Sequence, residues 1–312
     1  GVTGVLVPED QGGSGLGLLD AVVAAQALGH AVTPSAFISA GVMAPVVLSL
    51  LGGAEAERCL SGIASGELIV GTAFTELFSV RENAGVRLEA GMLSGKTMMA
   101  LDGCAADLIL VPVGADQVVL VDCKTGGISR TRLALTDPTR CTTEIVFENV
   151  SPVAIFEGAG HAISKALDAG RIALAADIFG ACESMIEQAV EYANQRKQFD
   201  RLIGSFQAVK HMCAEMIADL EPVRSLLWYA AHAFDEQPEE APLLACHVLA
   251  HVSEIGREIA SVSTQVQGGI GWTDEQNLHF WYKRIASGRH LLGGPEFLRE
   301  RAASLQSFDV AS

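Results

Sequence analysis

The sequence predicts a mainly α protein with a middle β domain, and three observations carry that prediction. Apolar residues recur at helical spacing over long stretches after Pro152, β-branched runs cluster between Leu68 and Val150, and the first 67 residues are Ala- and Leu-rich with helix-ending punctuation. With 312 residues and 49% hydrophobic content, the chain can bury a full core and hold two or three structural regions.

From about Leu16 to Gly66, Gly29, Pro34, Pro45 and the Gly52-Gly53 pair divide the text into short helices with no strand. Residues 1–67 read as an N-terminal helical domain. Strand-like runs follow at Leu68–Thr75, Leu108–Val113, Val118–Val121 and Thr143–Val150, so 68–151 reads as the middle β domain. Leu174, Ile178, Cys182, Met185, Ala189 and Tyr192 mark one long helix, and Val209, Met212, Met216, Leu220, Val223 and Leu227 a second. Leu244, Val248, Val252, Ile255, Ile259, Val262 and Val266 mark a third, making 152–312 a helical bundle.

Charge and composition exclude several functions. The net charge of −16 repels nucleic acid and anionic membranes unless a basic patch overrides it, and none stands out in the sequence. Seven scattered cysteines without a CxxC fit reduced thiols in the cytoplasm, and no apolar run reaches membrane-span length. The start at Gly1, without Met, suggests a missing leader. His247 and His251 stand four apart without a third ligand, so no metal site is expected. Gly95-Lys96-Thr97 lacks the earlier glycine and the following helix of a P-loop, and Gly12–Gly17 lacks the preceding strand of a dinucleotide fold.

The chemistry-bearing signal is a pair of motifs, RKQFDRLIGSFQ from Arg196 to Gln207 and QVQGGIG from Gln265 to Gly271. An arginine at a helix end offers a fixed fork to a pyrophosphate, a nearby aromatic offers a flat face to a ring, and a Gly-Gly turn lets backbone amides approach an anion. Together they suggest a dinucleotide site.

With Val7–Leu16 (VPEDQGGSGL) opening the first helix, these motifs resemble those of the acyl-CoA dehydrogenase family, in order and across nearly the whole chain. The resemblance implies an N-terminal helical domain, a middle β domain and a C-terminal four-helix bundle. It also implies α,β-dehydrogenation of an acyl-CoA, with a carboxylate taking the α-proton, FAD accepting hydride and electron-transfer flavoprotein as a further partner. By that likeness Arg196 meets the FAD pyrophosphate, Phe199 and Gln207 the adenosine side, and Gln265 with the Gly268 and Gly269 amides the phosphates, all donated to a neighbouring subunit's flavin. Asp200 replaces the family's glycine.

The other half departs from the pattern. Thr75-Glu76 remains of the flavin wall, but Phe78-Ser79-Val80-Arg81 stands where Gly-Ser-Asp would follow, Met99 replaces an aromatic residue and Leu101 a hydroxyl. At the two places where the family carries its base, this chain has Leu292 and Gly170, so no catalytic residue is assigned. Asp168, Asp177, Asp274, Glu275 and Glu296 read as solvated helix-end or surface acids. Lys283-Arg284 replaces the family's Arg-Asp, after an aromatic group, His279–Tyr282, that is expected to pack. A chain with a donated half and no base resembles the base-lacking subunit of heteromeric α2β2 actinobacterial acyl-CoA dehydrogenases of steroid side-chain catabolism, whose partner supplies the glutamate. A homomeric enzyme with a relocated base such as Glu275, or a non-catalytic acyl-CoA-binding scaffold, stands as the alternative.

Overall fold

The computed structural model describes residues 1–78 and 85–308. Three α-helices form in the N-terminal region, α1 Leu18–His30, α2 Ala44–Leu51 and α3 Ala54–Ser65. Their limits follow the punctuation: Pro45 sits in the first turn of α2, Gly52 and Gly53 separate α2 from α3, and Gly66 ends α3 in the left-handed conformation. A fully buried π-helical segment, Phe37–Met43, leads into α2.

Eight strands then make one sheet in the order β6-β7-β3-β1-β4-β5-β8, with β2 pairing β3 off that path. They are β1 Val70–Thr72, β2 Gly85–Glu89, β3 Met92–Leu101, β4 Leu108–Val113, β5 Gln117–Asp122, β6 Ile128–Arg132, β7 Thr142–Val150 and β8 Ala154–Glu157. Of the anticipated runs, the last three lie within β4, β5 and β7, whereas Leu68–Thr75 yields only the short β1 before a 3-10 turn, Phe74–Phe78. Strands β2, β3, β6 and β8 lie outside those four runs: β2, β6 and β8 are short and at most half-buried at sheet margins, and β3 is mostly half-buried, so none carries a continuous buried apolar run.

The long helices are α4 Gly160–Gln195, α5 Gln207–Glu236 and α6 Ala241–Gln267, followed by α7 His279–Gly288 and α8 Pro295–Leu305. The predicted stripes face inward: Leu174, Ile178, Cys182, Met185 and Ala189 on α4, Met216, Leu220, Val223 and Leu227 on α5, and Val248, Val252, Ile259 and Val266 on α6 are buried. Helix α1 crosses α4 so closely that a β-carbon on Gly29 would fall 2.0 Å from the Asp177 carbonyl oxygen, and one on Gly180 2.0 Å from that of Gln26. Only glycine permits this approach.

Buried ion pairs join the regions, and here two expectations fail. Asp177, read as a solvated acid, is buried and accepts from Arg284 Nε and Nη2 at 3.0 and 2.6 Å and from Arg140 Nη2 at 2.5 Å. Asp168 is likewise buried and accepts from Arg171 Nη1 at 3.0 Å. Each acid lies on the inward face of α4, where a charge persists only with a partner: Asp168 has Arg171 one turn on in the same helix, whereas Asp177 takes Arg284 from 107 positions away, which the sequence does not reveal. Arg284 also donates to Thr139 Oγ1, which donates to Asp137, and Ser39 of the π-helical segment donates to Asp102 at the end of β3. The cluster thus ties the N-terminal helices, the sheet and the bundle together. Burial pushes the Asp102 carboxyl up to about 6, against the pull of the Ser39 hydroxyl and of Arg140 and Arg284.

Candidate functional site

A cavity of about 450 Å³ opens between β3 and the α7–α8 connection. Its lining brings together the eroded positions: Thr75, Glu76 and Phe78 from the 3-10 turn, Met98 and Met99 from β3, and His290 to Gly294 with Phe297 beyond. Thr75 Oγ1 donates to the Met99 carbonyl at 2.6 Å, and the Met98 N–H donates to the Glu76 carboxylate. Both polar side chains therefore hold an irregular point of β3, where the register with β7 shifts between Thr97 and Ala100 and Met99 takes φ +57. Ser79–Arg81 lie outside the described residues.

The two places where a base would stand are occupied by packing. Leu292 is buried, with φ +56, and its carbonyl accepts from Arg171 Nε at 3.1 Å. A β-carbon on Gly170 would meet Met43 Sδ at 2.8 Å and Leu292 Cδ1 at 3.0 Å, so a longer side chain there requires those two side chains to move. Arg171 stacks over Phe78 with its guanidinium carbon 5.3 Å from the ring centre, and Phe78 meets Phe297 edge-on at 5.1 Å. Burial lifts the Asp168 carboxyl above its ordinary range while Arg171 pulls it back. Among the described lining residues the one carboxylate is Glu76. Glu275 and Asp274 are exposed before α7, Asp274 pairing with His279 at 3.0 Å, and Glu296 is exposed at the start of α8. Arg284 is buried on Asp177 rather than facing a ligand, and Trp281 packs, donating to the His30 carbonyl at 2.7 Å.

At the far end of the bundle lie the six motif residues. The 3.3 Å contact of Ser263 with Met216 fixes the antiparallel register of α5 and α6, which brings Gln207 and Gln265 to the same end. The α4–α5 connection returns there too, with Gly204 close against the Ala193 carbonyl. Arg196 follows the last residue of α4 and is exposed, as are Gln207, Gln265, Gly268 and Gly269. Phe199 is 86% exposed. Nothing lies within 4 Å of the place a β-carbon would take on Gly268 or Gly269, and Gly268 has φ +67. No side-chain hydrogen bond joins one of the six to another among the described residues, but the Gly268 N–H donates to the Gln265 carbonyl at the end of α6; Gln207 Nε2 lies 3.4 Å from His211 Nε2. The tip of this connection is a two-residue hairpin turn between β9 Lys197–Gln198 and β10 Arg201–Leu202, with Phe199 at φ +54 and Asp200 at φ +60. Aspartate tolerates the left-handed conformation, which accounts for it in place of glycine.

Two features escaped the sequence reading. Arg196, Lys197, Arg201 and Lys210 are all exposed here with Asp200 the single acid between them, a local basic surface that the net charge of −16 conceals. Phe78 also packs between Arg171 and Phe297, which only its contacts reveal. Among the described residues no group of His, Cys, Asp and Glu is arranged to hold a metal, and His247 and His251 are both exposed. No described helix is long and apolar enough to cross a membrane, and all seven cysteines are free.

Residues 1–67 match the acyl-CoA dehydrogenase N-terminal domain and residues 158–304 its C-terminal domain. The chain belongs to the acyl-CoA dehydrogenase family. Over 305 residues it is 28% identical to the acyl-CoA dehydrogenase IpdE2 of Mycobacterium tuberculosis, covering 97% of this chain and 83% of that protein. The fold superposes with a TM-score of 0.87 on a variant of the Tcur3481-Tcur3483 steroid ACAD, at 26% identity over 100% of this chain and 87% of that one. It matches the ChsE4-ChsE5 complex from Mycobacterium tuberculosis with a TM-score of 0.88 at 26% identity, covering 99% of this chain and 86% of that one. The helical, sheet and bundle regions are therefore those of an acyl-CoA dehydrogenase fold.

Proposed function

We propose that this chain is one subunit of a heteromeric, FAD-dependent acyl-CoA dehydrogenase, and that it grips the nucleotide tail of a flavin whose base belongs to a partner subunit. One contrast carries the reading: the family's two base positions hold Leu292 and Gly170, neither of which can take a proton, while the six tail-binding candidates stand exposed at the bundle end. The residues fit a flavin nucleotide at that end. Arg196 would hold the pyrophosphate, Phe199 and Gln207 the adenosine side, and Gln265 with the Gly268 and Gly269 amides the phosphates, the Gly268 amide turning from the Gln265 carbonyl it now meets, over an open backbone that no β-carbon blocks. They do not fit the isoalloxazine against this chain's own sheet, because Thr75 and Glu76 are already bonded to β3.

When bound, FAD supplies the hydride acceptor of the α,β-dehydrogenation. The chain's own residues bind and orient; Glu76, the one carboxylate among the described lining residues, holds the Met98 N–H of β3. The likeness to the steroid ACAD and to the ChsE4-ChsE5 complex supports a heteromeric assembly acting on a bulky, steroid-type acyl-CoA; the α2β2 stoichiometry and electron-transfer flavoprotein as acceptor follow from the family resemblance. Free thiols fit a cytoplasmic setting. Glu275 as a relocated base has no support, since it stands outside the cavity.

Co-purification with the acyl-CoA dehydrogenase-like subunit, followed by counting FAD per chain, tests the proposal. One FAD per two subunits is expected, with flavin bleaching by a steroid-type acyl-CoA and loss of FAD in Arg196→Ala. One tightly held FAD per chain in the protein alone refutes the proposal, as does full flavin retention in Arg196→Ala. Absence of bleaching by any acyl-CoA in the loaded complex points instead to a non-catalytic scaffold.

A further inference from the structure

The hairpin that carries Phe199 is built in an energetically unfavourable way. Both residues of its turn have positive φ, and Phe199, at φ +54, is a bulky residue in a conformation that favours glycine. Its ring is 86% exposed, so packing within this chain does not compensate for the strain. What holds the turn is a short stack beneath it: Phe206 meets Phe199 edge-on at 6.2 Å, and the Arg201 guanidinium lies over the opposite neighbour, with its carbon 3.8 Å from the Phe206 ring centre. Arg201 pairs with Gln198 across the hairpin, and the Ile203 N–H donates to the Arg196 carbonyl at 2.8 Å, closing the loop from which the Arg196 side chain leaves.

We infer that Arg201 and Phe206 are positioning residues, a cation–aromatic stack that fixes Phe199 and Arg196 toward a ring-bearing anion supplied from outside the chain. This rests on the clamp proposed above. Three things point the same way: the stack is continuous from Arg201 to Phe199, its outer member is an apolar ring left in solvent, and the surrounding surface is basic in an otherwise acidic protein. Arg201 serves twice. Its planar fork supports the Phe206 ring, and its charge offsets Asp200 next to the anion site, so lysine replaces only the second role.

The test uses the complex of this chain with its partner subunit and FAD as the probe. Arg201→Met is expected to weaken FAD retention about 10-fold, the size of one cation–aromatic contact with its charge. Arg201→Lys should recover part of that loss, and the salt dependence of FAD release should be flatter in Arg201→Met than in Arg201→Lys. Assembly with the partner and the melting temperature should stay at wild-type values, which separates positioning from folding. Phe206→Leu, which keeps the charge, should weaken FAD retention without changing the salt slope. If Arg196→Ala loses FAD while Arg201→Met and Phe206→Leu retain it as the wild type does, the stack is surface packing and the inference fails alone. If Arg196→Ala also retains FAD, the clamp itself is wrong.

Discussion

Replacing Asp102 by Asn isolates the one carboxylate of the interdomain cluster that burial disfavours. The cluster contains Asp102, Asp137 and Asp177 against Arg140 and Arg284, so ionising all three acids leaves a buried negative excess. Asp177 has two bonds from Arg284 and one from Arg140, whereas Asp102 has the Ser39 hydroxyl and only more distant attraction from the two arginines. Its carboxyl is accordingly pushed up from 3.8 to about 6. Because the folded value lies above the unfolded one, the stability this group contributes is fully present below about pH 4 and is lost as pH rises through about 6. A rise of about two pH units at about 1.4 kcal/mol each makes the ionised form about 3 kcal/mol costlier in the folded protein near neutral pH. Asn keeps an oxygen for Ser39 and cannot ionise. Urea unfolding of both proteins from about pH 4 to about pH 8 should show Asp102→Asn gaining on the wild type by about 3 kcal/mol across that range. A constant lost hydrogen bond would offset the two curves without changing that trend. Parallel curves over the whole range would refute the reasoning, since Asp102 would then hold one protonation state throughout.

Asp177→Asn removes the counter-charge of Arg284 and Arg140 and should cost about 3–5 kcal/mol, lowering the melting temperature by about 10 °C. A change under about 2 °C would show that the arginines find other partners. Leu292→Glu places a carboxyl in the cavity lining beside Arg171, yet the chain alone should show no bleaching of added FAD by acyl-CoA, because Thr75 and Glu76 remain bonded to β3. Turnover in that variant alone would mean that the base is the sole deficit.

The order of elements and the two exposed motifs at the bundle end were legible in the sequence because they are local. Helical stripes on α4, α5 and α6 report which face is buried, Gly-Gly and Pro mark where helices end, and the Arg196–Gln207 and Gln265–Gly271 motifs each lie within a dozen residues. The absence of an acid at Leu292 and Gly170 was equally plain. Tertiary structure alone decided the rest. Asp168 and Asp177 look like surface acids until their helix is placed with its charged side inward, where Asp177 meets arginines from elsewhere and Asp168 is buried with its helix neighbour Arg171, and Phe78 looks like a lost flavin contact until Arg171 and Phe297 close on it. Burial and ion pairing belong to pairs of residues, and those pairs are made only when distant segments pack.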